Sequence, residues 1–226
     1  MNSFKQRWES IQEKIQKISN RPVKVVAVSK KQPFEKIHQA YTMGVRHFGE
    51  NYTQEVLPKI VQGQGLEIDW HFVGSIQTNK MNKLIPKVQW VHSIDSNAQI
   101  EKLRQFKDRG VALPKLLIQI NVADEKSKSG IMERDVQAFF KNVQKSGLEV
   151  CGLMTFPPLQ TNPEQNRPYF AKLYQWKETI NGWKLDGINI EHLSMGVSHD
   201  YPIAIQEGAT MVRLGEVLFG PRESSR

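Results

Sequence analysis

Lys30 is the residue in this sequence best placed for covalent chemistry, because it ends the β-forming run 24–30, Lys-Val-Val-Ala-Val-Ser-Lys. A strand that is apolar on both faces is typical of a buried parallel sheet. If Lys30 points inward with Val26 and Val28, its ammonium is partly removed from water, which favours the uncharged amine needed for Schiff-base formation. The alternative is a solvated lysine that caps the strand.

Two glycine-containing segments near the end of the chain could hold an anion. The first is Ser194-Met195-Gly196, and the second is Arg-Leu-Gly-Glu at 213–216. They supply a hydroxyl group and glycines that let backbone N–H groups approach a phosphate. Each glycine taken singly is equally consistent with a simple turn. Together with the amine of Lys30, the two segments indicate a phosphorylated carbonyl compound as ligand.

Short β-like runs alternate with helical runs from Val23 onward, and this alternation predicts a closed (β/α)8 barrel. An open doubly wound sheet is the alternative. The predicted strands are Val23–Lys30, Val45–Phe48, Asp69–Val73, Val88–Ile94, Leu116–Val122, Glu149–Met154, Ile190–Ser194 and Thr210–Val217. Functional groups of such barrels gather at the carboxyl ends of the strands, so Lys30 and the two anion-binding segments are expected to meet there.

The remaining periodic runs predict helices between these strands. They lie near Pro33–Met43, Tyr52–Gln62, Asn79–Ile85, Asn97–Arg109 and Glu133–Lys145, before Ile180, and near Tyr201–Glu207. An extra helix over about Ser3–Ser19 carries one apolar stripe and is predicted to pack on the barrel. Because no Pro/Ser-rich linker divides the chain, residues 1–226 are predicted to form one domain, with the extra helix in residues 1–20.

Composition narrows the classes of partner. The net charge of +8 allows an anionic ligand, but the lysines are spread among glutamates and no nucleic-acid motif occurs, so nucleic-acid binding is not predicted. We find no membrane-span or signal-peptide pattern and therefore expect a cytoplasmic protein that does not bind membranes. The lone Cys151 cannot close an intramolecular disulfide and is expected in the core. Without a long heptad pattern, a monomer is predicted.

Histidines do not indicate a metal site. His71, His92 and His192 lie on predicted strands, yet no HxH or HExxH spacing occurs. We predict instead that they are buried with hydrogen-bond partners.

Eight short motifs together resemble the YggS/PROSC family of pyridoxal-phosphate-binding homeostasis proteins. In order they are Ala27-Val28-Ser29-Lys30, Phe48-Gly49-Glu50-Asn51, Trp70-His71-Phe72-Val73-Gly74, Gln77-Thr78-Asn79-Lys80, His92-Ser93-Ile94-Asp95, Gly152-Leu153-Met154-Thr155, Leu193-Ser194-Met195-Gly196 and Val212-Arg213-Leu214-Gly215. The match runs from about Val23 to Arg222. The resemblance implies a barrel of the type found in the N-terminal domain of alanine racemase.

The same resemblance implies a pyridoxal 5'-phosphate (PLP) site. Lys30 would form the internal aldimine with the cofactor. The other implied roles are ring contacts from Asn51 and Met154, phosphate contacts from Ser194 and the backbone of Gly215 and Glu216, and a pyridine-nitrogen contact from Arg213. Glu216 departs from the family pattern, where a small or hydroxylated residue is common. We therefore expect its carboxylate to turn away from the phosphate.

These implied roles favour a protein that holds PLP over one that turns substrates over. An arginine at the pyridine nitrogen keeps its proton, so the ring nitrogen stays unprotonated and the cofactor is a weak electron sink. In the racemases that this barrel resembles, the opposing base comes from a second domain, and we expect none here. The predicted function is PLP homeostasis or delivery, with amino acids or apo-enzymes as receivers. The alternative is a PLP-dependent racemase of small amino acids or another Schiff-base enzyme.

Overall fold

A computed structural model describes residues 3–125 and 128–221, and these residues form a barrel of parallel strands surrounded by helices. In chain order the strands are β1 (Lys24–Val28), β2 (His47–Glu50), β3 (Asp69–Phe72), β4 (Trp90–Ile94), β5 (Lys115–Asn121), β6 (Ile131–Met132), β7 (Val150–Met154), β8 (Ile188–Val197) and β9 (Met211–Leu214).

Helices connect these strands on the outside of the barrel. They are α1 (Phe4–Ile18), α2 (Phe34–Thr42), α3 (Thr53–Gln62), α4 (Thr78–Leu84), α5 (Asn97–Asp108), α6 (Val136–Ser146), α7 (Arg167–Gly182), α8 (Tyr201–Gln206) and α9 (Glu216–Phe219). Three short 3₁₀ helices lie at Ile85–Lys87, Glu133–Asp135 and Pro163–Asn166.

Pairing between β4 and β5 closes the sheet. The order β4-β3-β2-β1-β9-β8-β7-β5 is parallel throughout, and Trp90 of β4 pairs with Lys115 of β5. The two-residue β6 pairs with β5 outside this ring. Eight strands therefore form the closed barrel, which confirms the predicted fold and is not compatible with an open doubly wound sheet.

The strands of the closed barrel are buried on both faces, as expected of a parallel sheet covered by helices. All five residues of β4 are buried, and six of the seven residues of β5 are buried. Helices cover the outer face with apolar stripes; α6 buries Val136, Phe139, Phe140 and Val143, which share one side of a 3.6-residue repeat. Helix α6 ends at Gly147 with a φ of +65°, a conformation that favours glycine.

Helix α1 is attached to the outside of the barrel beside α8 and α9. Ser3 and Gln6 form a capping box at its start. The Arg7 side chain donates from Nε to the backbone oxygen of Leu218 at 2.7 Å, and the Phe4 ring lies 5.7 Å from that of Phe219. The predicted N-terminal helix thus packs against the last helices of the barrel.

Some predicted boundaries were wrong. The first strand ends at Val28, so Lys30 lies in the turn that follows it, and β9 ends at Leu214, so Val217 lies in α9. Strand β8 is longer than predicted and reaches Val197. The prediction also missed β6.

Cys151 only partly matches its predicted place in the core. It lies half-buried against the interior cluster of Trp90, Leu117 and Met211, and its thiol donates to the Leu116 oxygen at 3.6 Å. Burial raises the pKa of the Cys151 thiol. Within the described part of the chain, none of the helices is both long and apolar enough to cross a membrane.

Close packing inside the barrel makes Gly152 sensitive to a single methyl group. A Cβ atom there would lie 2.6 Å from the His192 oxygen and 2.9 Å from Leu117 Cγ. We expect Gly152→Ala to lower the free energy of unfolding by about 1–3 kcal/mol, measured by urea denaturation. Gly182→Ala is the matched control, because a Cβ at this last residue of α7 meets no atom within 4 Å. Equal midpoints for the two variants would contradict the packing argument.

Candidate functional site

A cavity of about 520 Å³ opens at the carboxyl ends of the barrel strands, and most of the predicted site residues line it. These are Lys30, Asn51, Met154, Arg213, Gly215 and Glu216. They come from the ends of β1, β2, β7 and β9, which are separated in sequence but adjacent in the closed barrel. Ser194 is absent from the lining.

Hydrogen bonds on both sides of Lys30 fix the turn that carries it. Lys31 has a φ of +60°, and its N–H donates to the Glu55 carboxylate at 2.7 Å. The Ser29 N–H donates to the Gly49 oxygen at 2.9 Å. These bonds fix the chain on both sides of Lys30, which lies half-buried on the cavity wall.

A buried ion pair supports the same turn. The Lys59 ammonium donates to Glu50 Oε1 at 2.6 Å and to the Ser29 oxygen at 2.8 Å, and the Ser29 hydroxyl donates to Glu50 Oε1 at 2.7 Å. Burial raises the pKa of the Glu50 carboxyl, and its bonds to Lys59 and Ser29 counteract that rise. Glu50 belongs to one of the motifs that carry the family resemblance, but Lys59 was not predicted, and its local signal is its i,i+4 spacing from Glu55.

Asn51 offers the cavity an acceptor. Its Oδ1 atom is buried and has no hydrogen-bond partner among the residues that the structure describes. Gly74 packs directly on the Asn51 backbone: a Cβ atom on Gly74 would lie 2.2 Å from the Asn51 oxygen. Only glycine therefore fits at residue 74 while Asn51 keeps this position.

Arg213 is a buried cation bonded to neutral oxygen atoms. Its Nη1 donates to the backbone oxygen and to Oγ of Ser194, both at 2.7 Å, and its Nη2 donates to the Thr155 oxygen at 2.9 Å. Burial lowers the pKa of Arg213 from its ordinary value to about 10. The guanidinium still remains charged at neutral pH, and it faces the cavity beside the ring of Phe156, 5.6 Å away.

Ser194 lies behind the cavity wall. Its side chain is fully buried, and its hydroxyl contacts Arg213 and His92. Ser198 takes the wall position: its Oγ accepts from the N–H groups of Gly215 and Val217, each at 3.3 Å. Sequence reasoning missed Ser198, because it took β8 to end at Ser194, four residues earlier.

Residues from the adjoining loops complete the lining. Phe156 and Leu159 follow β7 and are 50% and 83% exposed, so the proline-rich loop reaches the cavity mouth. Lys128 and His199 also line the cavity, and Glu216 is exposed at its edge. The sequence did not predict Phe156, Leu159, Lys128 or His199 as site residues, because loop positions carry no periodic signal.

Three histidines, His47, His71 and His92, form a continuous row inside the barrel, called here the histidine row. His71 Nε2 lies 3.1 Å from His47 Nδ1, and His71 Nδ1 lies 2.8 Å from His92 Nε2. The row ends where His92 Nδ1 lies 2.8 Å from Ser194 Oγ. Burial holds the pKa values of His71 and His92 well below 6.5.

The sequence predicted that His71, His92 and His192 are buried with hydrogen-bond partners. This prediction is confirmed for His71 and His92 and wrong for His192. His192 is only half-buried, and its ring packs edge-on against Trp90 at 5.2 Å. Among residues 3–125 and 128–221, no group of three or more His, Cys, Asp and Glu side chains could hold a metal ion.

Fold and site together define a class: parallel (β/α)8 barrels that present a lysine and a backbone N–H corner in one cavity at the carboxyl ends of the strands. The family model described as "Alanine racemase, N-terminal domain" matches residues 1–223. The chain belongs to this family, and within it to the group of pyridoxal phosphate homeostasis proteins, which confirms the resemblance seen in its motifs.

Individual relatives support that assignment over nearly the whole chain. The pyridoxal phosphate homeostasis protein of Aquifex aeolicus (strain VF5) is 36% identical, with 96% of this chain and 98% of that protein covered. The protein of the same name from Escherichia coli (strain K12) is 34% identical, with both chains fully covered. Among solved structures, PipY of Synechococcus elongatus PCC7942 with PLP bound is 31% identical, has a TM-score of 0.86, and covers 96% of this chain and 100% of its own.

Neutral buried histidines predict that acid destabilises this protein. Below pH 6.5 His71 and His92 bind protons in the unfolded chain but stay neutral in the folded protein. Acidification therefore favours unfolding. Each histidine should cost up to about 1.4 kcal/mol of unfolding free energy per pH unit. Urea denaturation at pH 7.5 and 5.5 measures this loss.

The Glu50 carboxyl changes the unfolding free energy in the opposite direction on acidification, and so it limits the loss of stability caused by the histidines. Because its pKa is raised in the fold, its contribution to stability is complete below its unfolded pKa and is lost as the pH rises through the folded pKa. It therefore offsets only the most acidic part of the decline. An unfolding free energy that stays constant between pH 7.5 and 5.5 would show that the two histidines are not held neutral.

Proposed function

We propose that this chain binds PLP in the cavity at the carboxyl ends of the strands and takes part in PLP homeostasis. The observation that carries the proposal is the presence of an amine, Lys30, and a donor corner, Ser198 with Gly215, on the walls of one cavity. The names of its relatives and the PLP-bound structure of PipY support it.

The residues present suit the cofactor in size and chemistry. A volume of about 520 Å³ lies within the roughly 300–1,000 Å³ of small-molecule sites. At one end of the cavity the Ser198 oxygen accepts from the Gly215 N–H group, which leaves the Ser198 hydroxyl hydrogen to donate to a phosphate. Asn51 Oδ1 is a buried acceptor without a protein partner in the described chain, which suits a hydroxyl group on a ligand.

Within this proposal, Lys30 forms a covalent aldimine: its amine adds to the aldehyde carbon, and water leaves. The phosphate contacts fall to Ser198, Gly215 and the backbone of Glu216, in place of the Ser194 contact expected from the sequence. Met154 and Asn51 contact the ring. That the carboxylate of Glu216 points away from the phosphate stays a prediction.

When bound, PLP supplies electron withdrawal toward its pyridine nitrogen. Arg213 limits the strength of this withdrawal. The guanidinium donates to three neutral oxygen atoms and stays protonated at neutral pH, so it can offer the ring only another N–H. An unprotonated ring nitrogen withdraws electrons weakly. We therefore propose that the protein holds PLP with little or no turnover of its own.

Delivery follows from the same chemistry. A Schiff base exchanges with other amines, so free amino acids and apo-enzymes that use PLP are the proposed receivers. The monomeric state, the cytoplasmic location and the single domain stay predictions from the sequence.

Replacing Lys30 tests the covalent link. Wild-type protein mixed with PLP and reduced with borohydride should carry one pyridoxyl group, located at residue 30 by peptide mass spectrometry. Lys30→Ala should lose this adduct and the visible absorbance of the imine. Lys31→Ala is the matched control, because Lys31 lies in the same turn but outside the cavity lining, and it should retain both signals.

An equal adduct on Lys30→Ala would exclude Lys30 as the attachment site. The loaded wild-type protein should also leave excess L-alanine unchanged over hours. Racemisation or transamination at enzyme-like rates would contradict the carrier role and favour the Schiff-base enzyme.

The phosphate contact is tested by comparing PLP with pyridoxal, which lacks the phosphate. Losing one charge-assisted hydrogen bond of roughly 1.5–3 kcal/mol should weaken PLP binding to Ser198→Ala about 10-fold or more. Pyridoxal binding should barely change, so the preference for PLP over pyridoxal should fall. Ser194→Ala removes a hydroxyl from behind the wall and should keep the preference. The reverse pattern would assign the phosphate contact to Ser194.

A further inference from the structure

The histidine row links the cavity with the opposite mouth of the barrel. It starts at half-buried His47, the first residue of β2, where Asp69 Oδ2 lies 3.2 Å from the His47 Nδ1 atom. It passes through the fully buried His71 and His92 and ends on Ser194, whose Oγ accepts from Arg213. The proposed function uses Arg213 but leaves the rest of this row without a role.

Neutral imidazoles can satisfy the row in only two ways. Each N···N contact needs one proton, and each neutral ring carries one. If His71 carries its proton on Nδ1, then His92 and His47 must also carry theirs on Nδ1, and every N–H points toward Arg213. If His71 carries it on Nε2, all three rings do, and every N–H points away from Arg213.

The two ends of the row favour opposite orders. The cationic Arg213 repels an N–H on His92 Nδ1 and leaves the Ser194 hydroxyl to donate to that atom, so it favours the order that points away. The Asp69 carboxylate needs an N–H on His47 Nδ1, so it favours the order that points toward Arg213. The contact at Arg213 is buried, whereas the Asp69 side chain is 44% exposed and screened by water.

We propose that the histidine row is a two-state hydrogen-bond element that couples protonation of His47 to the occupancy of the cavity at Arg213. Both orders hold the same protons, one on each ring and one on Ser194. To change from the order that points away to the one that points toward Arg213, one proton crosses each hydrogen bond of the row, from Ser194 to His92, from His92 to His71 and from His71 to His47. His47 releases one proton from Nε2 to water, and Ser194 takes one up from the cavity side, so the number of protons in the row is unchanged. This inference rests on the proposed function for the identity of its ligand.

The direction of the coupling follows from charge. A ligand that presents an acceptor nitrogen to Arg213 and carries an anionic phosphate elsewhere in the same cavity weakens the repulsion of an N–H on His92 Nδ1 and so favours the order toward Arg213. Protonated His47 carries an N–H on Nδ1 and therefore fits only that same order. Ligand and proton consequently stabilise the same state, and each must raise the affinity for the other.

Other charges act on the row but lie outside its hydrogen bonds. Lys24, Lys115 and Asp69 surround His47, Lys24 and His192 also face His71, and Arg213 and His192 face His92. Burial and the two lysines lower the pKa of His47, and Asp69 opposes them. Of these charges, Arg213 is the one that also faces the cavity, so a change in ligand occupancy enters the row at that end.

Ring-nitrogen NMR of the full chain tests the proposal first without ligand. At pH 8 the three rings should share one tautomer, with the proton on Nε2. Different tautomers among the three rings would overturn the two-state order. This NMR measurement is made without PLP.

The second measurement follows the titration of His47 with and without PLP. PLP should raise the pKa of His47, corresponding to roughly fivefold tighter binding when His47 is protonated. Asp69→Asn, at the far mouth, should retain PLP binding but weaken this response, and Ser194→Ala should abolish it. The ring of His38, exposed on α2, serves as the internal control and should not respond to PLP.

A His47 titration that is identical with and without PLP would overturn the coupling, as would a full response in Ser194→Ala. If PLP fails to bind the wild-type chain at all, the proposed function fails instead. In that case the tautomers of His47, His71 and His92 measured without PLP still show whether all three rings share one proton order.

Discussion

The parallel pairing of β1 with β9 is the constraint on which the site depends. Ala27 pairs with Leu214, so the turn after β1 and the turn after β9 emerge side by side. Lys30 follows the first strand by two residues and Gly215 follows the last by one, and they reach one cavity because these two strands are neighbours in the closed barrel. In an open sheet, edge strands would separate groups that here share a wall. Barrel closure is therefore a condition for the chemistry as well as for stability.

Two kinds of buried charge stand behind this cavity. The Lys59–Glu50 pair has direct hydrogen bonds between opposite charges and stabilises the turn that carries Lys30. Arg213 has only neutral oxygen acceptors, and burial lowers its pKa to about 10. A buried charge of this kind is costly unless hydrogen bonds compensate for lost water. The Ser194 and Thr155 oxygen atoms provide that compensation, which leaves the Ser194 hydroxyl bonded to the barrel interior, whereas Ser198 lines the cavity.

Polar residues inside the barrel are continuous from one mouth to the other. A typical barrel interior is filled by branched apolar side chains. Here His71 stacks flat on Trp90, with ring centroids 5.2 Å apart, and continues the row toward Arg213. The interior thus combines aromatic packing with two buried histidines, His71 and His92, whose ring nitrogens all have partners. Such a set has few allowed proton arrangements, and this is the basis of the proposed coupling between its two ends.

Local sequence determined much of this protein: the apolar runs that became parallel strands, the helical stripes between them, and the position of Lys30, Gly215 and Glu216 near the carboxyl ends of strands, although it did not give the residues at which β1 and β9 end. Periodicity encodes these features over a few residues, and the barrel follows from their alternation. Tertiary structure alone decided that Ser198 lines the cavity, that Lys59 supports the Lys30 turn, and that three histidines form a row. Those contacts join residues as far apart as His92 and Ser194, 102 positions along the chain, and only closure of the barrel brings such residues within hydrogen-bonding distance.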